Sequence, residues 1–400
     1  MKVLQFCNKS PYPAKEGGSI AMNAITQLLL RQGHEVKVIA VNTPKYYVDI
    51  DTIDPQYREE TKIELVLVDT QVRIAGAIKS LLNNTSYHVE RFHSKELEQK
   101  LIAILHQEDV DVVIFETIYL AIYADIIRKH SRAKLILRAH NVEHAIWQRI
   151  VSNTAFGLKK LYLSTLSRQL KMFEQKAIHY FDKIWCISPV DAEWFAMQTD
   201  KIPIEVVPFG VNDDKIMQMP ATFHSNTLFS IGSMDWLPNI EGVQWFLDNV
   251  WEQIHTLYPD LTYKIAGRNM PQNMQDIQTD KVDIVGEVAD AGQFMLENGI
   301  LIVPLWSGSG IRIKIIEAMS MGKVVITTSI GVEGIEAENG THILIANTPE
   351  EFLSAVDFCI QNPQKCCEIG ENALQLIQQC HNNIFIGEKL NALLKNIKAE

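Results

Sequence analysis

KVLQFC (residues 2–7), NKSPYPAKEGG (8–18), SIAMNAITQLLLR (19–31) and EVKVIAV (35–41) together decide the fold. The first and last pieces are short, nearly continuous apolar runs, the pattern of strands covered on both faces. The third puts Ile20, Ala24 and Leu28 on one helical face, and Gly33 after it suits a helix C-terminal cap. Strand, glycine-bearing turn, helix, strand is the opening unit of a parallel α/β sheet. VDVVIFE (110–116), KLILRAH (134–140), KIWCIS (183–188) and IEVVPFG (204–210) continue the strand series, with helical patterns between them. Residues 48–87 are less regular. Residues 212–226 are polar and Met-rich, with Pro220, and read as an interdomain linker. The alternation then restarts. TLFSIGS, TYKIAG, VDIVGEV, GILIVPL, KVVITTS and HILIA are strand candidates, with helices at 239–257, 289–297, 310–321, 349–360 and 363–379.

The expected fold class is therefore α/β, with two Rossmann-like, doubly wound parallel-sheet domains facing a cleft. Their bounds are 1–215 and 222–380. A C-terminal helix at 381–400 could pack on either domain; it is assigned back onto the first. Open parallel sheets bind ligands at the carboxyl ends of their strands, so the chemistry is expected there.

The 400 residues suffice for two cores. A net charge of −11 argues against a broad nucleic-acid surface, which needs clustered Lys and Arg. The six cysteines form no C-x-x-C pair and read as reduced thiols of a cytosolic protein. MKVLQFCNKSPYP is not a signal peptide, its apolar run being broken by Asn8 and Pro11. No stretch approaches the roughly 20 apolar residues of a spanning helix. The expectation is a cytoplasmic protein, at most peripheral at the inner face of a membrane.

Three constellations could carry chemistry. In PYPAKEGGS, Gly17 and Gly18 permit close backbone approach and precede a helix N-terminus that favours an anion; the alternative is a plain tight turn. This is not the G-x-G-x-x-G dinucleotide fingerprint, and the second strand ends in Asn42 and Thr43 without the ribose-binding acid, which disfavours an NAD-dependent dehydrogenase. In RAHNVEH (138–144), His140 could donate a hydrogen bond or carry charge near an anion, and Asn141 and Glu143 could hold hydroxyls. Here the alternative is a helix start with Asn141 as cap and Glu143 in the first turn. In GSGIRIKIIEAMSMGK (308–323), Gly308 and Gly310 free the loop around Ser309. The helix expected to begin there would point its N–H groups at a phosphate. Arg312 and Lys314 put two cations where the helix dipole prefers anions, a local conflict of the kind found at functional sites. Glu317 could hold hydroxyls; otherwise Lys314 and Glu317 form an ordinary i,i+3 surface pair. Supporting elements are FSIGSMDWLPN (229–239), Arg268 after TYKIAG, and VGEV (285–288).

Taken in order, these segments resemble glycosyltransferase family 4, the group 1 glycosyltransferases, with GT-B fold and retaining chemistry. The resemblance covers essentially the whole chain. It implies that Glu317 is the second acid of the family's E-x7-E motif and holds the nucleotide ribose. It likewise places Gly17 and Gly18 near the diphosphate and acceptor, His140 near the transferred sugar, and Arg268 with Val285, Gly286, Glu287 and Val288 on the base side. Two departures stand out. Ser309 replaces the first acid of the motif. The cationic pair usual in the first loop of the second domain is missing, with Ser233 at the Arg position and Pro238 or Asn239 near the Lys position.

The implied reaction is glycosyl transfer from a nucleoside-diphosphate sugar to a hydroxyl of a glycan or lipid-linked acceptor, in surface polysaccharide or glycoconjugate synthesis. Catalysis would rest on stabilising the leaving diphosphate and a cationic sugar, with domain closure excluding water. No cofactor beyond the co-substrate and no metal is expected, since no Asp-x-Asp stands at a strand end and Asp213-Asp214 lies in the linker. A nucleotide-sugar epimerase or a non-catalytic nucleotide-sugar-binding protein are the alternatives. Residues 71–92, with Arg73, Ile74, Ile78, Lys79, Leu81 and Leu82, could form a basic amphipathic helix touching a membrane, or an ordinary surface helix.

Overall fold

The structure is a computed structural model and describes residues 1–211, 226–308 and 310–399. The segment 212–225 of the expected linker, including Asp213 and Asp214, and Ser309 lie outside the described residues.

The chain divides into two compact units, Met1–Phe209 with Ile384–Glu400, and Gly210–Asn383. The first holds seven strands: β1 (Lys2–Cys7), β2 (Glu35–Asn42), β3 (Glu64–Leu67), β4 (Val112–Phe115), β5 (Lys134–Ala139), β6 (Lys183–Cys186) and β7 (Ile204–Val206). Their order is β3-β2-β1-β4-β5-β6-β7, and every pairing is parallel. The second holds β8 (Thr227–Ile231), β9 (Thr262–Ala266), β10 (Val282–Gly286), β11 (Ile300–Val303), β12 (Val325–Thr327) and β13 (Leu344–Ile345). They run β10-β9-β8-β11-β12-β13, again all parallel. In each sheet the chain starts in the middle, winds to one edge and returns to wind to the other. The reversal falls between β1 and β4 in the first unit and between β8 and β11 in the second. Such switch points open a crevice at the carboxyl ends of the central strands.

The strands are as apolar as doubly covered sheets require. All four residues of β4 and of β11 are buried. One side of the first sheet packs Leu4, Phe6, Val113 and Leu137 against helices; its other side buries Val3, Val38 and Ile114 together with Ile386, Leu390 and Leu394. Those last three lie on the C-terminal helix Asn383–Ala399, which therefore docks on the first unit. Their i, i+4, i+8 spacing forms one stripe, and each buried side chain contributes roughly 1.5–3 kcal/mol. Asn391 Nδ2 donates at 3.2 Å to Oε1 of Gln32, the C-cap of the adjoining helix Gly17–Arg31.

Two elements depart from the sequence reading. Strand β3 lies inside the irregular stretch 48–87; it is four residues long at the sheet edge, with Leu67 facing water. The helix expected from residue 310 begins at Ile313 instead. Gly308 and Gly310 hold φ of 110° and 77°, which no right-handed helix continues through.

Candidate active site

In the first unit the switch point collects a buried polar cluster from three strands whose remaining side chains are mostly apolar. Gln5 comes from β1, Glu116 follows β4 directly, and Arg138 lies on β5. Glu116 Oε2 takes Arg138 Nη1 at 2.8 Å, both side chains being 1% exposed or less. Gln5 Nε2 donates to Glu116 Oε1 at 2.6 Å, and Gln5 Oε1 accepts from Thr26 Oγ1. His140, one residue beyond β5, places Nε2 at 2.7 Å from the same Glu116 Oε2. Burial alone would raise the Glu116 carboxyl, but Arg138 and the His140 and Gln5 hydrogen bonds hold it below the usual range. For His140 the balance is opposite: burial and then Arg138 lower it, so the ring is neutral at pH 7. A neutral ring bonded to a carboxylate through Nε2 donates from that nitrogen, so Glu116 fixes the tautomer and the ring plane.

The Gly17-Gly18 loop is equally specific. Gly17 opens the helix, and the anion at its N-terminus is the chain's own Glu16, whose carboxylate accepts the Ser19 backbone N–H. Lys9 Nζ bonds Glu16 Oε1 at 2.9 Å, and a Cβ on Gly18 would meet Lys9 Nζ at 2.9 Å. A side chain at Gly18 would push the end of Lys9 aside.

Asn141 does not cap the following helix, Glu143–Asn153, whose N-cap is Val142. The cap comes from Glu174, thirty residues on. It accepts the backbone N–H of Glu143 and of His144, each at 2.9 Å, and binds His144 Nδ1 at 2.6 Å. Glu143 accepts from Tyr119 Oη at 2.8 Å. Burial, with Glu174 and Asp191 nearby, pushes the Glu143 carboxyl up to about 7.

In the second unit the switch point lies between the loop after β8 and the loop after β11. Lys314, in the first turn of Ile313–Ser320, reaches back to the loop after β8. Its Nζ donates to the Ile231 carbonyl at 3.0 Å and to Asn239 Oδ1 at 2.8 Å. Burial, and then Arg312, lower its pKa to about 7. Gly232 makes room: a Cβ there would stand 2.7 Å from Asn239 Nδ2 and 3.1 Å from Lys314 Nζ. Arg312 is the N-cap of that helix, is buried, donates to the Gly310 carbonyl, and lies over the Trp236 ring at 5.7 Å. A Cβ on Gly308 would press on the Trp236 indole at 3.1 Å, so the glycine admits the ring. Glu317 stands one turn further along, partly buried.

The remaining expected donor-side residues frame this loop. Ser233 Oγ donates to Asp235 Oδ1 at 2.6 Å, and its carbonyl accepts from Asn239 Nδ2 at 2.9 Å. Met234 N–H bonds the Arg268 carbonyl at 2.8 Å, and Gly267 N–H bonds the Gly286 carbonyl at 2.7 Å, lacing the loops after β8, β9 and β10 into a row. Val285 and Glu287 are exposed beside that row, and Val288 is partly buried. Ser309 lies outside the described residues. Sequence reasoning missed Gln5, Glu116, Lys9 and Trp236 as site components. The available signal for the first two was a single polar residue within or just ending an apolar strand run.

Among the described residues no group of three or more His, Cys, Asp or Glu is placed to hold a metal ion. Among them, too, no helix is long and apolar enough to cross a membrane.

Two doubly wound units, the second with cations gathered at a helix start on its switch point, define a GT-B glycosyltransferase. The chain belongs to glycosyltransferase family 4: residues 16–215 match the model described as Glycosyltransferase Family 4, and residues 225–362 that described as Glycosyl transferases group 1. An uncharacterized 44.6 kDa protein from the cps region of Klebsiella pneumoniae is 24% identical over 398 residues, covering 96% of this chain and 97% of the relative. HepE of Anabaena, solved with UDP, superposes with a TM-score of 0.68 at 16% identity, covering 99% of this chain and all of HepE. Sucrose-phosphate synthase of Thermosynechococcus elongatus gives 0.72 at 14% identity over the full length of both chains. At these identities the likeness is one of fold.

Proposed function

We propose that this glycosyltransferase moves a hexosyl-type group from a nucleoside-diphosphate sugar to an acceptor hydroxyl with retention at the anomeric carbon, in surface polysaccharide or glycoconjugate synthesis. The observation that carries the donor reading is the bond from Lys314 Nζ to Asn239 Oδ1. Asn239 stands near the position where family 4 sequences usually carry a loop lysine. Here the ammonium arrives at that place from a different backbone address, the helix after β11. A diphosphate at this helix start would meet Lys314, Arg312 and the helix N–H groups together. HepE was solved with UDP and with UDP-glucose, which supports a nucleotide-sugar donor for this fold.

In this reading Glu317 accepts from the ribose hydroxyls and the row around Arg268 and Val285–Val288 flanks the base. Arg312 and Lys314 stabilise the leaving diphosphate as the glycosyl–oxygen bond breaks, the step at which negative charge develops. His140, held by Glu116, acts at the transferred sugar. Purified protein supplied with a panel of nucleotide sugars should hydrolyse or transfer at least one, with the anomeric configuration retained by proton NMR and the rate indifferent to EDTA. An inverted anomer, or no turnover of any donor, would overturn this reading.

A further inference from the structure

Residues 70–89 and 144–173 hold seven Lys and Arg and no Asp or Glu, in a chain whose net charge is −11. The fold brings these two stretches together. Ala77 and Tyr87 pack on Leu166, flanked by Tyr162 and Leu163, and Gln169 Nε2 donates to the Ser80 carbonyl at 3.4 Å. With Ala77 and Ser80 facing inward, the helix Ile74–Asn83 turns Ile74, Ile78 and Leu82 out in one i, i+4, i+8 row, 53% exposed at the least. In the adjoining stretch Phe156 is fully exposed, and Leu158 and Leu161 of the helix Leu158–Ala177 are 88% and 67% exposed. Lys79, Lys159 and Arg168 are exposed on the same two helices. Asp69, just outside the first stretch, pairs with Arg73.

Scattered apolar side chains in water need no explanation, but six in one region, among cations that outnumber the nearby carboxylates Asp69 and Glu90, do. A second copy of the same face would set like charges against each other. A polyanion without an apolar phase would leave the aliphatic row in water. An anionic bilayer satisfies both features, taking the apolar side chains into its interface while its headgroups meet the cations.

We propose that the paired helices Ile74–Asn83 and Leu158–Ala177 form a docking surface for membranes rich in anionic lipid, a property independent of the sugar-transfer reading. Co-sedimentation of the full chain with vesicles of equal parts phosphatidylglycerol and phosphatidylcholine, against pure phosphatidylcholine, tests it. The protein should bind the first and not the second, and added salt should release it. Lys159→Gln with Lys160→Gln should lower partition about 25-fold, at about fivefold per cation near the surface. Ile78→Ser, Leu82→Ser, Phe156→Ser and Leu158→Ser combined should abolish it, with the unfolding temperature unchanged in both variants. The proposal fails if wild type ignores anionic vesicles or if both variants bind as wild type does. It also fails if sedimentation velocity shows a dimer that the serine variant disperses, which would give the patch to a second copy of the chain.

Discussion

Calorimetry of a nucleoside diphosphate binding at pH 8 should show the protein taking up a proton through Lys314. Burial and Arg312 lower that ammonium to about 7. One unit above this, about nine in ten molecules carry the neutral amine. A diphosphate beside Nζ favours the charged form and raises the pKa. If the bound value exceeds about 9, binding at pH 8 captures about 0.8 proton, and at pH 6 only about 0.1, because the amine is already charged. The ligand's own terminal phosphate, with a pKa of about 6, is ionised at pH 8 and adds little. Affinity should then fall by up to about tenfold per unit above pH 7. Folding has the opposite slope. The folded pKa lies below the unfolded value of about 10.4, so the unfolded chain binds more protons between the two. The charged lysine thus opposes folding fully below about pH 7, and the opposition fades as pH rises toward 10. Titrating in two buffers of different ionisation enthalpy gives the proton count directly. Lys314→Met should abolish the uptake. An enthalpy at pH 8 that is the same in both buffers, or equal uptake by the methionine variant, would refute the placement of this lysine at the phosphates.

Glu317→Gln should weaken donor binding tenfold or more with the fold intact, since hydrogen bonds to a charged group contribute about 1.5–3 kcal/mol; unchanged affinity by calorimetry removes Glu317 from the donor site. His140→Ala should lower turnover more than donor affinity, and wild-type kcat in steady-state kinetics would make the residue structural. Glu116→Ala leaves Arg138 buried without its anion and should cost about 3–5 kcal/mol in urea unfolding. The depressed Glu116 carboxyl stabilises the fold above its unfolded pKa, and that contribution disappears as pH falls through the folded value, so the variant should lose less in acid. Glu143→Gln should raise the melting temperature at pH 8 but hardly at pH 4, because the penalty of a carboxyl raised to about 7 begins as pH rises through its unfolded value of about 4.3 and is complete only above about 7; an equal shift at both would disprove the burial argument.

How much could be read beforehand depended on the range of the interaction involved. The parallel sheets were legible because each buried strand announces itself within a few residues, as VVIF and ILIV do. Strand β3 was not, because ELVL is short and places Leu67 in water, so its pattern matches neither a buried nor an alternating strand. The glycines flanking Ser309 were visible, but their positive φ values start the helix three residues later than composition implied. The cap of the Glu143 helix was not visible at all. Asn141 is the locally plausible cap, yet Glu174 supplies it from another helix. Local rules name a residue that could satisfy an N–H, and only packing decides which one does.

The same limit explains the cation question. The family resemblance implies that the loop after β8 has lost its basic pair, because Ser233 and Asn239 carry no charge. In the proposed function that loss is apparent only: β8 lies beside β11, so loops from the two strands are neighbours at the switch point and a side chain from either can occupy the same volume. Lys314 does so across 83 residues of sequence to Ile231, and Gly232 keeps the volume open for it. The charge requirement of a diphosphate fixes where a cation must stand, not which strand must bring it. Replacing Gly232 by Ala therefore tests the arrangement without touching a charge. The added methyl would displace Lys314 Nζ or Asn239, and diphosphate affinity should fall while Lys314 itself remains. If Gly232→Ala binds nucleoside diphosphate as wild type does, and with the same proton uptake at pH 8, the lysine is not acting from this position.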